Sequence, residues 1–287
     1  MADSIPMTKP TPLGSLGLGS VGLVAGTGLL ALYVLLWFAS PYLFLPGPDK
    51  MDLLARLSAP SHVHLLGTDH LGRDVLARIV AAIPVSLGAS LLTMFGIFAI
   101  ALPWGLCAGL LEGRIDALMM RLADIIMAFP TLILTLAIIG FMGASLEAAI
   151  IGVAVAWWPS MARLVRALVL SAKEKDFVKA ARLGGASRMR VVFYHILPQI
   201  LPPLAVIVSL ETASVLLALS GLSFLGIGAQ PPMAEWGAML NDARSFFAQA
   251  PHMFVAPGVA VTLAVLAFNL IGEGLRDLLD KREPYRW

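Results

Sequence analysis

Charge is what this sequence has least of: Asp, Glu, Lys and Arg make up 13% of its 287 residues, about half the share of a soluble domain. With 59% hydrophobic residues beside so few charges, the composition excludes a soluble globular protein and points to an integral membrane one. Cysteine is nearly absent. The single Cys107 lies inside an apolar run, so an internal disulfide is excluded and a free, buried thiol is expected. No G-x-x-x-x-G-K-S/T run occurs, which excludes a phosphate-binding loop for ATP, and no H-E-x-x-H or G-x-S-x-G run supports hydrolysis. The chain is therefore expected to be no enzyme and to bind no cofactor of its own. GLGSVG at residues 17–22 fits the dinucleotide pattern, but no strand precedes it. Gly22 and Gly26 are read instead as a small-xxx-small helix contact.

What is abundant is uninterrupted apolar sequence. Residues 10–48 carry no charge, and a first span is expected at about 18–40. A signal peptide is not expected, because the apolar stretch is too long and only Lys9 precedes it. Residues 46–78 balance Lys50, Arg56, Arg73 and Arg78 against Asp49, Asp52, Asp69 and Asp74, and are expected outside. Further spans are expected at 79–111, at 125–146 with Pro130 near its start, and at 147–164 after a hairpin at 143–145. Two more follow at 204–224, behind the Pro202–Pro203 stop, and at 258–275. Each run nears the roughly 20 residues that cross about 30 Å of hydrocarbon. With both termini inside, fifteen basic residues fall on the cytoplasmic side and five outside, as the positive-inside bias requires. The expected fold is all-α: a polytopic membrane protein of six transmembrane helices.

The long polar interruption is residues 163–203. Its first part holds Arg163, Arg166, Lys173, Lys175, Lys179, Arg182, Arg188 and Arg190, opposed only by Glu174 and Asp176. Ser171 and Glu174 have capping-box spacing, and Phe177, Val178, Ala181 and Leu183 give the helix behind them an apolar stripe. Gly184 and Gly185 break it, Ser187 caps a second short helix, and Pro198 is expected to stop that one. Two short helices meeting at a glycine hinge read as a docking element.

KAARLGGAS followed by HILP resembles the coupling-loop signature of permease subunits of ATP-binding-cassette importers, through Ala180, Ala181, Gly185, Leu197 and Pro198. Lys179 stands where that family usually has Glu. LGTDHLGRD at 66–74 is similar to a segment of the peptide and nickel branch. GRIDALMMRLADIIMAFP, SFLGIGAQPP, AEWGAMLNDAR and FNLIGEGLRDLLD resemble the same branch, closest to the second permease component of nickel systems. The likeness covers about residues 60–280. It implies a permease domain at 18–280 between cytoplasmic tails at 1–17 and 281–287, with outer segments at 46–78 and 226–257. It implies a multi-pass protein of the bacterial cytoplasmic (inner) membrane, held among lipids and touching no nucleic acid. A second, related permease subunit would complete the path, two ATP-binding subunits would dock at 163–203, and a periplasmic or lipoprotein solute-binding protein would deliver cargo. On the outer face, Thr68, Asp69, Gly72, Arg73, Asp74, Glu235 and Trp236 are the expected binding-protein or gating contacts. A plainer reading makes 66–74 a tight turn with Asp69 and Asp74 as local caps.

Glu211 sits within the fifth span, where a carboxylate costs about 2.5–3.5 kcal/mol. It either lines the translocation path, meeting a cationic or metal-bearing solute, or hydrogen-bonds a neighbouring helix. The resemblance implies nickel for an acidic residue here and dipeptide for a small polar one. Trp157 and Trp158 either line a cavity or pack. His62, His64 and His70 offer imidazoles suited to nickel. The expected function is ATP-driven uptake of nickel, ion or chelate, with di- or oligopeptide as the alternative cargo. A proton-coupled secondary transporter would show inverted repeats and paired ionisable groups, and a channel a filter motif; none is visible.

Overall fold

A backbone that leaves water must hydrogen-bond to itself, and in this chain it does so almost entirely as helix. The computed structural model describes residues 18–42 and 47–280; the expectations for both tails, Lys9 included, lie outside the described residues. The helices are α1 (Leu18–Ala39), α2 (Val75–Leu111), α3 (Gly113–Met127), α4 (Thr131–Met142), α5 (Leu146–Lys173), α6 (Asp176–Leu183), α7 (Arg188–Val191), α8 (Leu197–Phe224), α9 (Trp236–Arg244) and α10 (His252–Asp280). Among the described residues five helical stretches are long and apolar enough to cross a membrane, six if the bent pair of α3 and α4 counts as one span. The all-α expectation holds.

The third span is corrected. Helix begins at Gly113, ahead of the expected residue 125, and the chain turns by 78° between α3 and α4. Pro130 is the cause: it lacks an N–H and drives Phe129 out of helical geometry. The expected stops at Pro198 and Pro202–Pro203 are also corrected. Helix runs from Arg188 to Phe224, with a π-helical turn at Val192–Ile196 and both Pro202 and Pro203 inside α8. The wide turn lets Leu197 N–H reach Val192 O. Pro198 then falls in the first turn of α8, where a missing N–H is tolerated. Finally, α5 runs on to Lys173, so Ser171 lies inside a helix, and Lys175 rather than Ser171 precedes α6. No capping box forms.

Close helix contacts use missing side chains. A Cβ on Gly26 would stand 2.6 Å from Ala267 O, so α1 seats on α10 as the glycine pair suggests, and Tyr33 Oη donates to Ala260 O at 2.7 Å. On the other flank Gly105 and Gly109 press α2 onto α5, with would-be Cβ atoms 2.5 Å from Ala162 O and 2.7 Å from Val169 Cγ1. Cys107, between them, points outward and is exposed rather than buried. Three ion pairs tie α3 and the turn before it to α5: Arg163 with Asp124, Arg166 with Asp116, and Lys173 with Glu112. Arg166 is bidentate, its Nε at 2.6 Å and its second nitrogen at 2.5 Å from the Asp116 oxygens.

Candidate translocation cavity and coupling element

Between α2, α5, α8 and the start of α4 lies a cavity of about 440 Å³. Glu211 of α8 lines it together with Trp157 and Ser160 of α5, Thr131 of α4, and the thioethers of Met94 and Met161. Glu211 is half-buried, and among the described residues its carboxylate has no hydrogen-bond or ion-pair partner. The helix–helix hydrogen bond considered above does not form. No Lys or Arg lines the space, so its only formal charge is that carboxylate. Trp157 faces the cavity; Trp158 does not. Trp158 is buried, edge-on to Trp104 with ring centroids 5.0 Å apart, which corrects its place in the path. Ser160, Thr131, Met94 and Met161 carry no sequence expectation. The signal for Ser160 is its position three residues after Trp157, a polar side chain on the same helix face.

At the basic end of the molecule α6 and α7 form a small knob. Its hinge is a Schellman motif: Gly185 takes φ +82°, its N–H reaches Arg182 O at 3.1 Å, and Ala186 N–H reaches Ala181 O at 3.1 Å. Ser187 Oγ accepts from Arg190 N–H at 3.4 Å, capping α7. Val178 is fully buried, packed in one cluster with Val165 and Val169 of α5, Val191 of α7 and Ile200 of α8. That plug joins the two helices of the knob and holds them to α5 and α8. Its free side exposes Phe177, Lys179, Ala180 and Leu183, with Lys179 paired to Glu174 at 3.0 Å. Ala181, Gly185, Leu197 and Pro198 complete the expected coupling set; Leu197 and Pro198 belong to the rising helix α8 rather than to the knob. Lys173 donates to Gly109 O at 2.8 Å and to Glu112, and its ammonium holds the Glu112 carboxyl below the usual carboxylate range.

At the opposite end the 66–74 motif is an internally satisfied plug. Asp69 accepts from the N–H groups of Leu71 and Arg73 at 2.8 and 2.9 Å and from Arg73 Nε at 2.6 Å, while Arg73 also lies 3.6 Å from Asp242 of α9. Asp74 caps α2 through Ala77 N–H at 2.8 Å and meets His64 Nδ1 at 2.8 Å. The local-cap reading holds. Thr68 Oγ1 donates to Ala55 O and accepts from Ser58 N–H at 2.9 Å. Glu235 caps α9 through Ala238 N–H at 2.8 Å, and Trp236 Nε1 donates to Ile79 O at 3.1 Å. Thr68, Asp69, Arg73, Asp74, Glu235 and Trp236 are all buried. That corrects their expected role as direct contacts for a binding protein: they brace the 66–74 turn and α9 from within. The histidines are corrected too. His64 is spent on Asp74, His70 stacks on Phe246 with centroids 5.4 Å apart, and no group of metal-ligating side chains forms among the described residues.

Gly72 is the tightest point of this plug. At φ +74° a Cβ would fall 1.7 Å from Asp52 O. Gly72→Ala is expected to destabilise the purified protein by at least about 2 kcal/mol, seen as a lower thermal midpoint; an unchanged midpoint would show that the plug yields freely.

Residues 101–283 match the family described as binding-protein-dependent transport system inner membrane component. The chain is 42% identical over 252 residues to the nickel transport system permease protein NikC of Escherichia coli, covering 88% of this chain and 91% of that one. It is 38% identical over 262 residues to the glutathione transport system permease protein GsiD of Pectobacterium atrosepticum, covering 91% and 87%. With the dipeptide transport system permease protein DppC of Alkalihalophilus pseudofirmus it shares 39% over 259 residues, covering 90% and 85%. An inward-facing structure of the MetNI methionine ABC transporter aligns at a TM-score of 0.56 and 20% identity, over 69% of this chain and 95% of that one, a likeness of fold alone.

Proposed function

The chain belongs to the family of binding-protein-dependent transport system inner membrane components, and on that premise we propose that it carries nickel, as ion or chelate, into the cell. Within the family it falls in the nickel and dipeptide branch of ABC importer permeases; it is a multi-pass inner-membrane permease and not an enzyme. Such a permease works with partner subunits. In our reading these are a second, related permease, two ATP-binding subunits that hydrolyse ATP, and a solute-binding protein. The basic end is cytoplasmic: residues 163–190 carry eight Lys and Arg against one Glu and one Asp, as the positive-inside bias requires. Both termini then lie inside, the α6–α7 knob receives the ATPase, and the braced 53–74 and α9 surface receives the binding protein.

The observation that carries nickel is the unpartnered Glu211 carboxylate in a cavity without a cation. A metal cation, bare or chelated, finds charge there that nothing else neutralises. A dipeptide zwitterion would find a partner for its ammonium and none for its carboxylate on this half of the path. Dipeptide cargo remains the second reading, favoured by relatives named for glutathione and dipeptide transport that are nearly as similar as the nickel permease. The test is uptake by cells lacking their own nickel and dipeptide importers and given this importer complete. Radioactive nickel is expected to accumulate and excess dipeptide to leave its uptake unchanged. Labelled dipeptide accumulating without nickel would move the cargo to the second reading.

A further inference from the structure

A second cavity, of about 480 Å³, opens at the basic end between the last turn of α2, the end of α5 and the α6–α7 knob. Lys173, Arg182 and Arg188 line it against one carboxylate, Glu112. Lys173 is only 8% exposed and is occupied by Gly109 O and Glu112. Arg182 and Arg188 are exposed and make no ion pair among the described residues. The remaining wall is apolar and begins with Leu110 and Leu111, the end of the long apolar run of α2. Two guanidinium groups without an ion pair beside a hydrocarbon wall, at the level where a transmembrane helix ends, match an anionic headgroup with its acyl chains attached.

We propose that this cavity binds the phosphate of an anionic phospholipid of the cytoplasmic leaflet, Arg182 and Arg188 taking the phosphate oxygens and the chains running along Leu110 and Leu111. Planar guanidinium forks suit phosphate oxygens, and basic pockets between helices on the cytoplasmic side are where anionic headgroups bind. Glu112 pairs with Lys173 and also feels the charge of Arg182, and with three cations lining the cavity against this one carboxylate the net charge stays positive. The bound lipid bridges the knob and the helix ends above it, since Arg182 belongs to α6, Arg188 to α7 and Leu111 to α2. The site rests on the basic end facing the cytoplasm and is independent of cargo.

The test is lipid retention by the purified, complete importer, measured by native mass spectrometry after exchange into phosphatidylglycerol or phosphatidylcholine. Wild type is expected to retain phosphatidylglycerol selectively. Arg182→Gln with Arg188→Gln is expected to lower that retention on the order of tenfold or more. Lys175→Gln with Arg190→Gln removes as much charge outside the cavity and is expected to change it little. Equal retention by the lining variant, equal loss in the control, or no preference over phosphatidylcholine would each overturn the site. Displacement of phosphatidylglycerol by millimolar inorganic phosphate would assign the pocket to a soluble anion and overturn the lipid. Intact-cell labelling of Ser187→Cys, made together with Cys107→Ser, by a membrane-impermeant thiol reagent would instead sink the orientation, separating a failed premise from a failed site.

Discussion

Replacing Glu211 by glutamine is expected to lower nickel uptake by about 10- to 100-fold while leaving assembly of the importer intact. The size follows from a charge-assisted contact of about 1.5–3 kcal/mol, at about 1.4 kcal/mol for each factor of ten. Glutamine keeps the shape and polarity of the side chain and removes only the charge. Because the carboxylate has no protein partner, nothing in the chain is left unsatisfied by the change, and the effect should appear in uptake rather than in stability. Aspartate at this position should restore part of the rate. Uptake kinetics unchanged in Glu211→Gln, with normal protein levels, would take Glu211 out of the path and leave nickel without its support.

The second large effect is expected from Val178→Asp, which should abolish energised uptake while the transmembrane body still folds. Val178 is fully buried against α5, α7 and α8, and an uncompensated charge in that socket costs several kcal/mol, about 3–5. Helix α6 has eight residues, too few to be stable without its packing. The knob should therefore detach, leaving ATP hydrolysis unresponsive to cargo-loaded binding protein and uptake at background. Val178→Ile, which keeps the side chain apolar, should transport at close to the normal rate. Transport by Val178→Asp as by wild type would show that the α6–α7 knob does not transmit the stroke.

Elements governed by local chemistry were legible in the sequence. Asp69 and Asp74 behave as the Gly-punctuated turn demands, Gly185 ends α6 as a hinge glycine should, and Gly26 marks the α1–α10 contact. Glu211 was legible for the opposite reason: a carboxylate in an apolar run has no local explanation. What escaped depends on partners distant in the chain. Pro198 and Pro202 read as stops, yet a π-helical turn and the packing of Ile196 and Ile200 beside Val165 and Val169 carry the helix through. Arg73 and Glu235 look like surface charge in sequence, and only the fold brings Asp242 and Ser86 to them. The tandem Trp157–Trp158 could not be divided until the helix rotation set one toward the cavity and the other toward Trp104.

The three ion pairs that tie α3 and the residue before it to α5 have a spacing that fixes more than position. Along α5 the cations lie at 163, 166 and 173, and along the antiparallel partner the anions lie at 124, 116 and 112. Steps of three then seven meet steps of eight then four. Sliding either helix by a turn therefore leaves no second register in which every cation faces an anion. The interlock works like an unevenly toothed ratchet with a single seat, holding α3 and α5 to one register. The surfaces of α5 that carry no such interlock are those it presents to α2, α4 and α8 around the Glu211 cavity.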